Sequence, residues 1–317
     1  MDTLTKKKRL RPMKIPSKVY PYRLPYMGSK QNIAYSIMMT IAQKKPKAKY
    51  FFDIFGGGAS MSLMAKQFGL KVFYSEKNAG IVNLLNFLKD NKIPKEWIRW
   101  IDREEFKRCL GKDDPFSVFV TVVWSFGNHR QAYLFGKEIE EVKRLAFEVI
   151  VNCDINSLEK LKEKTGIKLK MPTEKGLHER RLDFSKQIKN VKGFNRGCPE
   201  LIQIQSLSQL ECCSRLQQLE YLQQLEYLNG LDLPYDEVVI YCDPPYRGTA
   251  EYTDGGFNPK EFDEWVRKLK YDVFISEYDT PFEKIASFGK MSLLNNSKDK
   301  KPLKSENLYF HRGVAQT

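Results

Sequence analysis

Three consecutive glycines, Gly56, Gly57 and Gly58, separate the apolar run 50–55 from a helical pattern that continues to about residue 68, and a second apolar run, 71–76, follows. A strand that passes through glycine into a helix, and then into another strand, opens an α/β sheet. The helix has to cross back over the sheet before the next parallel strand can form. The expected fold class is therefore α/β, with a doubly wound, Rossmann-like sheet.

The glycine turn also carries chemistry. Asp53, Phe55, Gly56 and Gly58 stand where the strand hands over to the helix. Glycine lets a ligand approach the backbone, and a helix N-terminus offers N–H groups to a carboxylate or phosphate. Glu76 ends the next strand, where a carboxylate is placed to accept hydrogen bonds from ribose hydroxyls. Taken alone, these residues fit a nicotinamide-dinucleotide fold as well as other nucleotide-like ligands, or a tight turn with no ligand at all.

Further along, helices are expected over 30–44, 79–90 and 137–151. Residues 152–200 are polar, lysine-rich and poorly periodic, and roughly 110–200 read as a separate inserted lobe or set of loops. Between 204 and 228 an apolar residue falls at every third position, and Leu-Gln-Gln-Leu-Glu-Tyr occurs twice in tandem, at 216–221 and 222–227. A period of three suits neither a straight α-helix nor a strand. It is read here as helical, with a structural or partner-facing role. The α/β pattern returns with a strand at 237–242, a helix at 259–270 opened by Asn258-Pro259, a strand at 271–276 and a last strand within 305–317. This divides the chain into a basic arm (1–20), an α/β domain (21–110 and 201–317) and an insert (111–200).

Asp243-Pro244-Pro245-Tyr246 directly follows the strand at 237–242. Two prolines after an acid hold the backbone extended and remove two N–H donors. The Asp243 carboxylate and the Pro244 carbonyl then form neighbouring acceptors suited to an exocyclic amine, and Tyr246 offers a face on which a base can stack.

The net charge is +14, and residues 1–50 hold thirteen Lys/Arg against one acid. Such a run, with Lys6-Lys7-Lys8-Arg9 at its start, suits a polyanion. The six cysteines include no Cys-x-x-Cys pair and there are only three histidines, so no zinc spacing is present and no metal is expected. No apolar run approaches the ~20 residues that span a bilayer. A soluble, cytoplasmic protein with reduced thiols is expected.

These motifs, in this order, resemble the Dam-type (D12 class, alpha arrangement) adenine-specific DNA methyltransferases, particularly phage and prophage members. Tyr26-Met27-Gly28-Ser29-Lys30 is similar to the family's N-terminal cofactor motif, 53–58 to the next, and Ser75-Glu76-Lys77-Asn78 to the acidic one after it. Asp243–Tyr246 is similar to the catalytic motif, and Ser276-Glu277-Tyr278-Asp279 falls where a further strand motif lies. The family's acid just before the catalytic strand has two candidates here, Asp232 and Asp236. The resemblance implies a Rossmann-like methyltransferase sheet with a mostly helical target-recognition insert. It implies S-adenosylmethionine as cofactor, held by Tyr26, Lys30, Asp53, Phe55, Gly56, Gly58, Glu76 and Asp243. It also implies methyl transfer to a flipped-out adenine N6 in double-stranded DNA. The segments 124–128 and 133–137 are similar to the start of the recognition region in phage members, and Asn128, Arg130, Gln131 and Tyr133 are the expected base readers, since Asn and Gln pair with adenine and Arg with guanine. A monomer is expected, with a restriction endonuclease as a companion if the enzyme belongs to a restriction–modification pair. Cytosine-N4 methylation and a catalytically inactive DNA-binding relative are the alternatives.

Overall fold

The computed structural model describes residues 13–17, 24–26, 28–91, 93–173, 176–188, 213–218, 220–247, 257–289 and 305–314. The fold is mixed α/β, in two compact units. The first holds residues 1–21, 30–82 and 211–317; the second holds 22–29 and 83–210. The second unit therefore begins earlier in the chain than the insert read from the sequence.

The first unit is organised by a seven-stranded sheet of order β3-β2-β1-β4-β5-β7-β6. Its strands are β1 (Tyr50–Asp53), β2 (Lys71–Glu76), β3 (Cys213–Gln218), β4 (Val238–Cys242), β5 (Val273–Glu277), β6 (Glu283–Phe288) and β7 (Glu306–His311). From β3 to β5 every neighbouring pair is parallel; β7 runs antiparallel to both β5 and β6. Strands covered on both faces read as unbroken apolar runs, and all five residues of β4 are buried.

Side-chain alternation divides the core. Phe52, Ile240, Cys242, Val273 and Ile275 share one face with Phe262, Trp265 and Val266 of the helix Pro259–Arg267. That helix starts as its sequence requires, with the Asn258 side chain accepting the Lys260 and Glu261 N–H groups and Pro259 in the first turn. On the opposite face lie Phe51, stacked on Tyr241, and Asp53, which accepts a hydrogen bond from Ser62 of α2 (Ser60–Gln67). Helix α1 (Ala34–Lys44) packs against α2.

The leucine stripe corrects a sequence expectation. Cys213–Gln218 is not helical but forms β3 and pairs with β2. Tyr221–Gln224 is a 3₁₀ turn, and among the described residues of the stripe only Leu225–Asn229 is α-helical. The edge of β2 offers a row of backbone partners that a period-three segment can satisfy as a strand. Residues 204–212 of the stripe lie outside the described residues, as do 1–12 of the basic arm. Met13 is buried and its N–H donates to the Pro46 carbonyl at 2.8 Å, so the described part of the arm lies along the first unit.

The second unit is helical: Arg103–Cys109, Pro115–Val123, Lys137–Asn152, Ile155–Thr165 and Leu177–Ile188. The last two fall within 152–200, where the sequence shows no clear helical period. Each of the two starts at 115 and 155 is capped by an aspartate, Asp114 and Asp154. Stacked and edge-on rings of Trp100, Trp124, Tyr133, Phe135 and Phe147 fill its core. Among the described residues, no helix is long and apolar enough to cross a membrane.

Candidate active site at the carboxyl ends of β1 and β4

Strand order reverses between β1 and β4. From β1 the chain continues to β2 on one side, while β4 pairs on the other. In open α/β sheets the crevice beyond such a reversal is where ligands bind. Asp53 ends β1, Asp243 directly follows β4, and Glu76 and Glu277 end the neighbouring strands β2 and β5. Glu306 begins the antiparallel β7, which brings it to the same edge.

Lys30 is a buried cation beside two of these acids, Asp243 and Glu306. It is 3% exposed, and its Nζ stands 2.6 Å from Asp243 Oδ2 and 3.4 Å from Glu306 Oε1. The same Nζ lies 4.8 Å from the centroid of the Tyr246 ring, and Tyr246 meets Tyr278 edge-on at 4.7 Å. Backbone contacts hold the segment after the tetrad. Arg247 N–H donates to Glu277 at 3.2 Å, and the Arg247 guanidinium reaches Asp263 at 2.5 Å.

Burial of carboxylates raises their pKa, because the charged form loses water. Burial pushes Asp53 up to about 7, opposed by the Ser62 hydrogen bond and assisted by the negative charge of Asp243. Glu277 and Glu306 are also pushed up to about 7, again chiefly by burial, with the Tyr278 and Arg247 N–H groups opposing it at Glu277 and Lys30 opposing it at Glu306.

The glycine loop works differently from a phosphate cradle. Gly56 N–H donates to Ser75 O, Gly57 N–H to the Glu76 carboxylate at 2.9 Å, and Ala59 N–H to Gly56 O. Glu76 also accepts the Asn78 N–H at 3.0 Å. Three of the loop's donors are therefore engaged within the chain. Gly56 is required by packing, since a Cβ there would overlap the Tyr74 ring. Gly58 is buried in the turn, and Phe55 packs at 5.3 Å from Tyr221 and 5.7 Å from Phe262.

Tyr26 belongs to the second unit, where its carbonyl accepts the Ser29 N–H. Asp232 and Asp236 are exposed, and both precede β4 at the end away from Asp243; Asp236 pairs with Lys47 at 2.9 Å. Neither is a site residue. In the second unit, residues 124–134 form a closed loop, with Phe126 N–H on Ala132 O and Leu134 N–H on Trp124 O. Gly127, Asn128 and Arg130 at its tip all have φ near +60°, and Gln131 is exposed. Tyr133 is not at the tip. It is 7% exposed, its hydroxyl donates to Ile101 O at 2.6 Å, and it packs edge-on to Phe106, so its place is in the core and not on a base-reading surface.

Sequence reasoning missed Glu277 and Glu306 as site residues. The signal was available: each is an acid at the edge of a strongly apolar strand, where a buried charge is costly unless it has a use.

No protein-family model matches the chain, and a comparison with curated proteins returns no significant similarity.

Proposed function

We propose that this chain is an S-adenosylmethionine-dependent DNA adenine-N6 methyltransferase built on a Rossmann-like sheet. The observation that carries the reading is the arrangement at the sheet's reversal. The glycine loop and the Asp243–Tyr246 tetrad leave adjacent strands there, and Asp243 and Glu306 both stand beside the buried Lys30.

The residues fit this cofactor better than a dinucleotide. A pyrophosphate would bring negative charge to an end of the sheet already holding Asp53, Glu76, Asp243, Glu277 and Glu306, and to a loop whose Gly56, Gly57 and Ala59 N–H groups are engaged. S-adenosylmethionine carries a sulfonium and an ammonium against one carboxylate, and positive charge is what this group of acids favours. Glu76 and the glycine loop would hold the ribose end, and Asp53 and Asp243 the charged end. Bound there, the cofactor supplies an electrophilic methyl group.

The chain's own residues have a positioning task. The exocyclic amine of adenine is a poor nucleophile because its lone pair is delocalised into the ring. The Asp243 carboxylate and the Pro244 carbonyl accept its two hydrogens, which favours a pyramidal nitrogen and aims the lone pair. Tyr246 supplies the stacking face. No covalent enzyme intermediate is needed, and orientation and electrostatics carry the rate. A base inside duplex DNA reaches such a site only by leaving the stack, at a cost of a few kcal/mol. The exposed tip of 124–134 and the basic arm are the proposed DNA contacts.

The test is transfer of a labelled methyl group from S-adenosylmethionine to duplex DNA, followed by digestion to nucleosides. Label on N6-methyladenine supports the reading. Label on N4-methylcytosine moves the substrate to the other base, and no transfer leaves a DNA-binding protein without this activity.

A further inference from the structure

Lys30 stands where the substrate amine is expected. Its ammonium engages one oxygen of the acceptor, Asp243 Oδ2, at 2.6 Å and lies over the Tyr246 ring, so it competes with the base for both the carboxylate and the stacking face. A neutral amine cannot displace a buried ammonium from a carboxylate unless the ammonium has somewhere else to go. Stripping one partner from a buried ion pair leaves an uncompensated charge, which is strongly unfavourable.

Glu306 is that second place. It is fully buried at the start of β7, and Lys30 Nζ is already 3.4 Å from its Oε1. The two carboxylates differ in distance from the ammonium by less than an ångström, a shift that a flexible lysine stem makes without moving the backbone. We propose that Glu306 is a positioning residue: it takes the Lys30 ammonium from Asp243 as the substrate amine arrives, so that the buried charge stays paired while Asp243 becomes the amine's acceptor. This rests on the methyltransferase reading.

The handover requires an ionised Glu306. The titratable groups placed to influence Glu306 are Lys30, Asp243, the buried Tyr241 of β4, and Glu277, which pairs with the adjacent Asn307 across β5 and β7. Burial pushes Glu306 up to about 7, so the acceptor is lost as pH falls through neutrality.

The test uses the full chain with S-adenosylmethionine and duplex DNA, comparing wild type, Glu306→Gln and Glu306→Asp. The amide cannot take the ammonium's charge. The expected result is a fall in kcat of about tenfold or more in Glu306→Gln, with KM for DNA and cofactor affinity little changed. The wild type should lose kcat below about pH 7, that limb should vanish in Glu306→Gln, and Glu306→Asp should recover part of the rate. A second readout needs no turnover: in the unliganded protein, the NMR signal of the Lys30 ε-methylene should titrate near neutrality, and this inflection should be missing in Glu306→Gln. An unchanged kcat and pH profile in Glu306→Gln overturns the proposal. So does a loss of rate matched by equal losses of cofactor affinity and melting temperature, in both variants, which marks a purely structural role. A wild-type chain that transfers no methyl group overturns the methyltransferase reading instead, and the lysine titration then still reports whether Glu306 shares the ammonium.

Discussion

The Glu76 carboxylate accepts the Gly57 N–H at 2.9 Å, tying the end of β2 to the glycine loop that follows β1. One side chain thus shapes the loop and presents the acceptor assigned to the ribose. Glu76→Ala should weaken S-adenosylmethionine binding by about 1–3 kcal/mol, the scale of hydrogen bonds to a charged group. Glu76→Gln keeps one oxygen acceptor and should lose less. Calorimetry on the three proteins checks this, and equal affinities would remove Glu76 from the cofactor site.

Asp243→Ala should abolish methyl transfer. Glu306 still stands 3.4 Å from the Lys30 ammonium after this change, so the buried charge keeps a carboxylate beside it. Circular dichroism should therefore be close to wild type while labelled-methyl transfer falls to background. Near-normal turnover would refute the catalytic assignment.

Asp53, Glu277 and Glu306 are each pushed up to about 7, chiefly by burial. In the unfolded chain such carboxyls titrate near ~4. Between those limits the folded protein binds more protons than the unfolded one, so stability falls as pH rises from about 4 to about 7. A cationic ligand reverses the preference by favouring the ionised carboxylates. Binding of S-adenosylmethionine near pH 6.5 should therefore release protons, seen as a calorimetric enthalpy that varies with the ionisation enthalpy of the buffer (about neutral pH being where these groups titrate). A buffer-independent enthalpy would count against the cationic cofactor.

At the other edge of the sheet, Lys45 Nζ lies 3.0 Å from Asp272 and 2.9 Å from the Tyr235 carbonyl, while Tyr235 Oη and the Gly313 N–H donate to the same Asp272 carboxylate. Gly313 fits because a Cβ there would collide with the Lys270–Tyr271 backbone. Asp272→Ala strands a buried ammonium and should cost about 3–5 kcal/mol in urea unfolding. Cofactor affinity of the folded fraction should be unaffected.

The tip of 124–134 separates reading from packing. Arg130 Nε is 3.3 Å from Thr121 Oγ1 and its N–H donates to Ser125 Oγ, so its guanidinium is held on a shaped loop. Arg130→Ala should reduce discrimination between target and random duplexes, by about 1–3 kcal/mol for a lost base contact. Tyr133→Phe should lower stability by about 1 kcal/mol through the lost bond to Ile101, with specificity unchanged. Deleting residues 1–11 should weaken binding to all duplexes alike and flatten its salt dependence. Binding across a salt series checks all three, and an Arg130 variant that loses affinity equally for both duplexes would sink the base-reading role.

The amino-acid sequence by itself determined the local devices: strand, glycine turn and helix at 50–67, the Asn258-Pro259 helix start, and the acid-Pro-Pro-Tyr turn after an apolar strand. Each depends on neighbours within a few residues, so it is legible without the fold. Only the tertiary structure decided the rest. The two copies of Leu-Gln-Gln-Leu-Glu-Tyr show why. The first contributes Leu216–Gln218 to β3, while the second spans a 3₁₀ turn and a short helix. Tyr221, closing the first copy, is 9% exposed in the core, and Tyr227, closing the second, is 41% exposed. Identical local preferences gave way to whichever backbone partners were at hand, the free edge of β2 in one case and a helical turn in the other. The site followed the same rule. Glu306 is far from Lys30 and Asp243 in sequence, and becomes the neighbour of Lys30 only because β7 runs antiparallel beside β5 and delivers its first residue to the carboxyl edge of the sheet, while Glu277 reaches that edge because β5 runs parallel to β4.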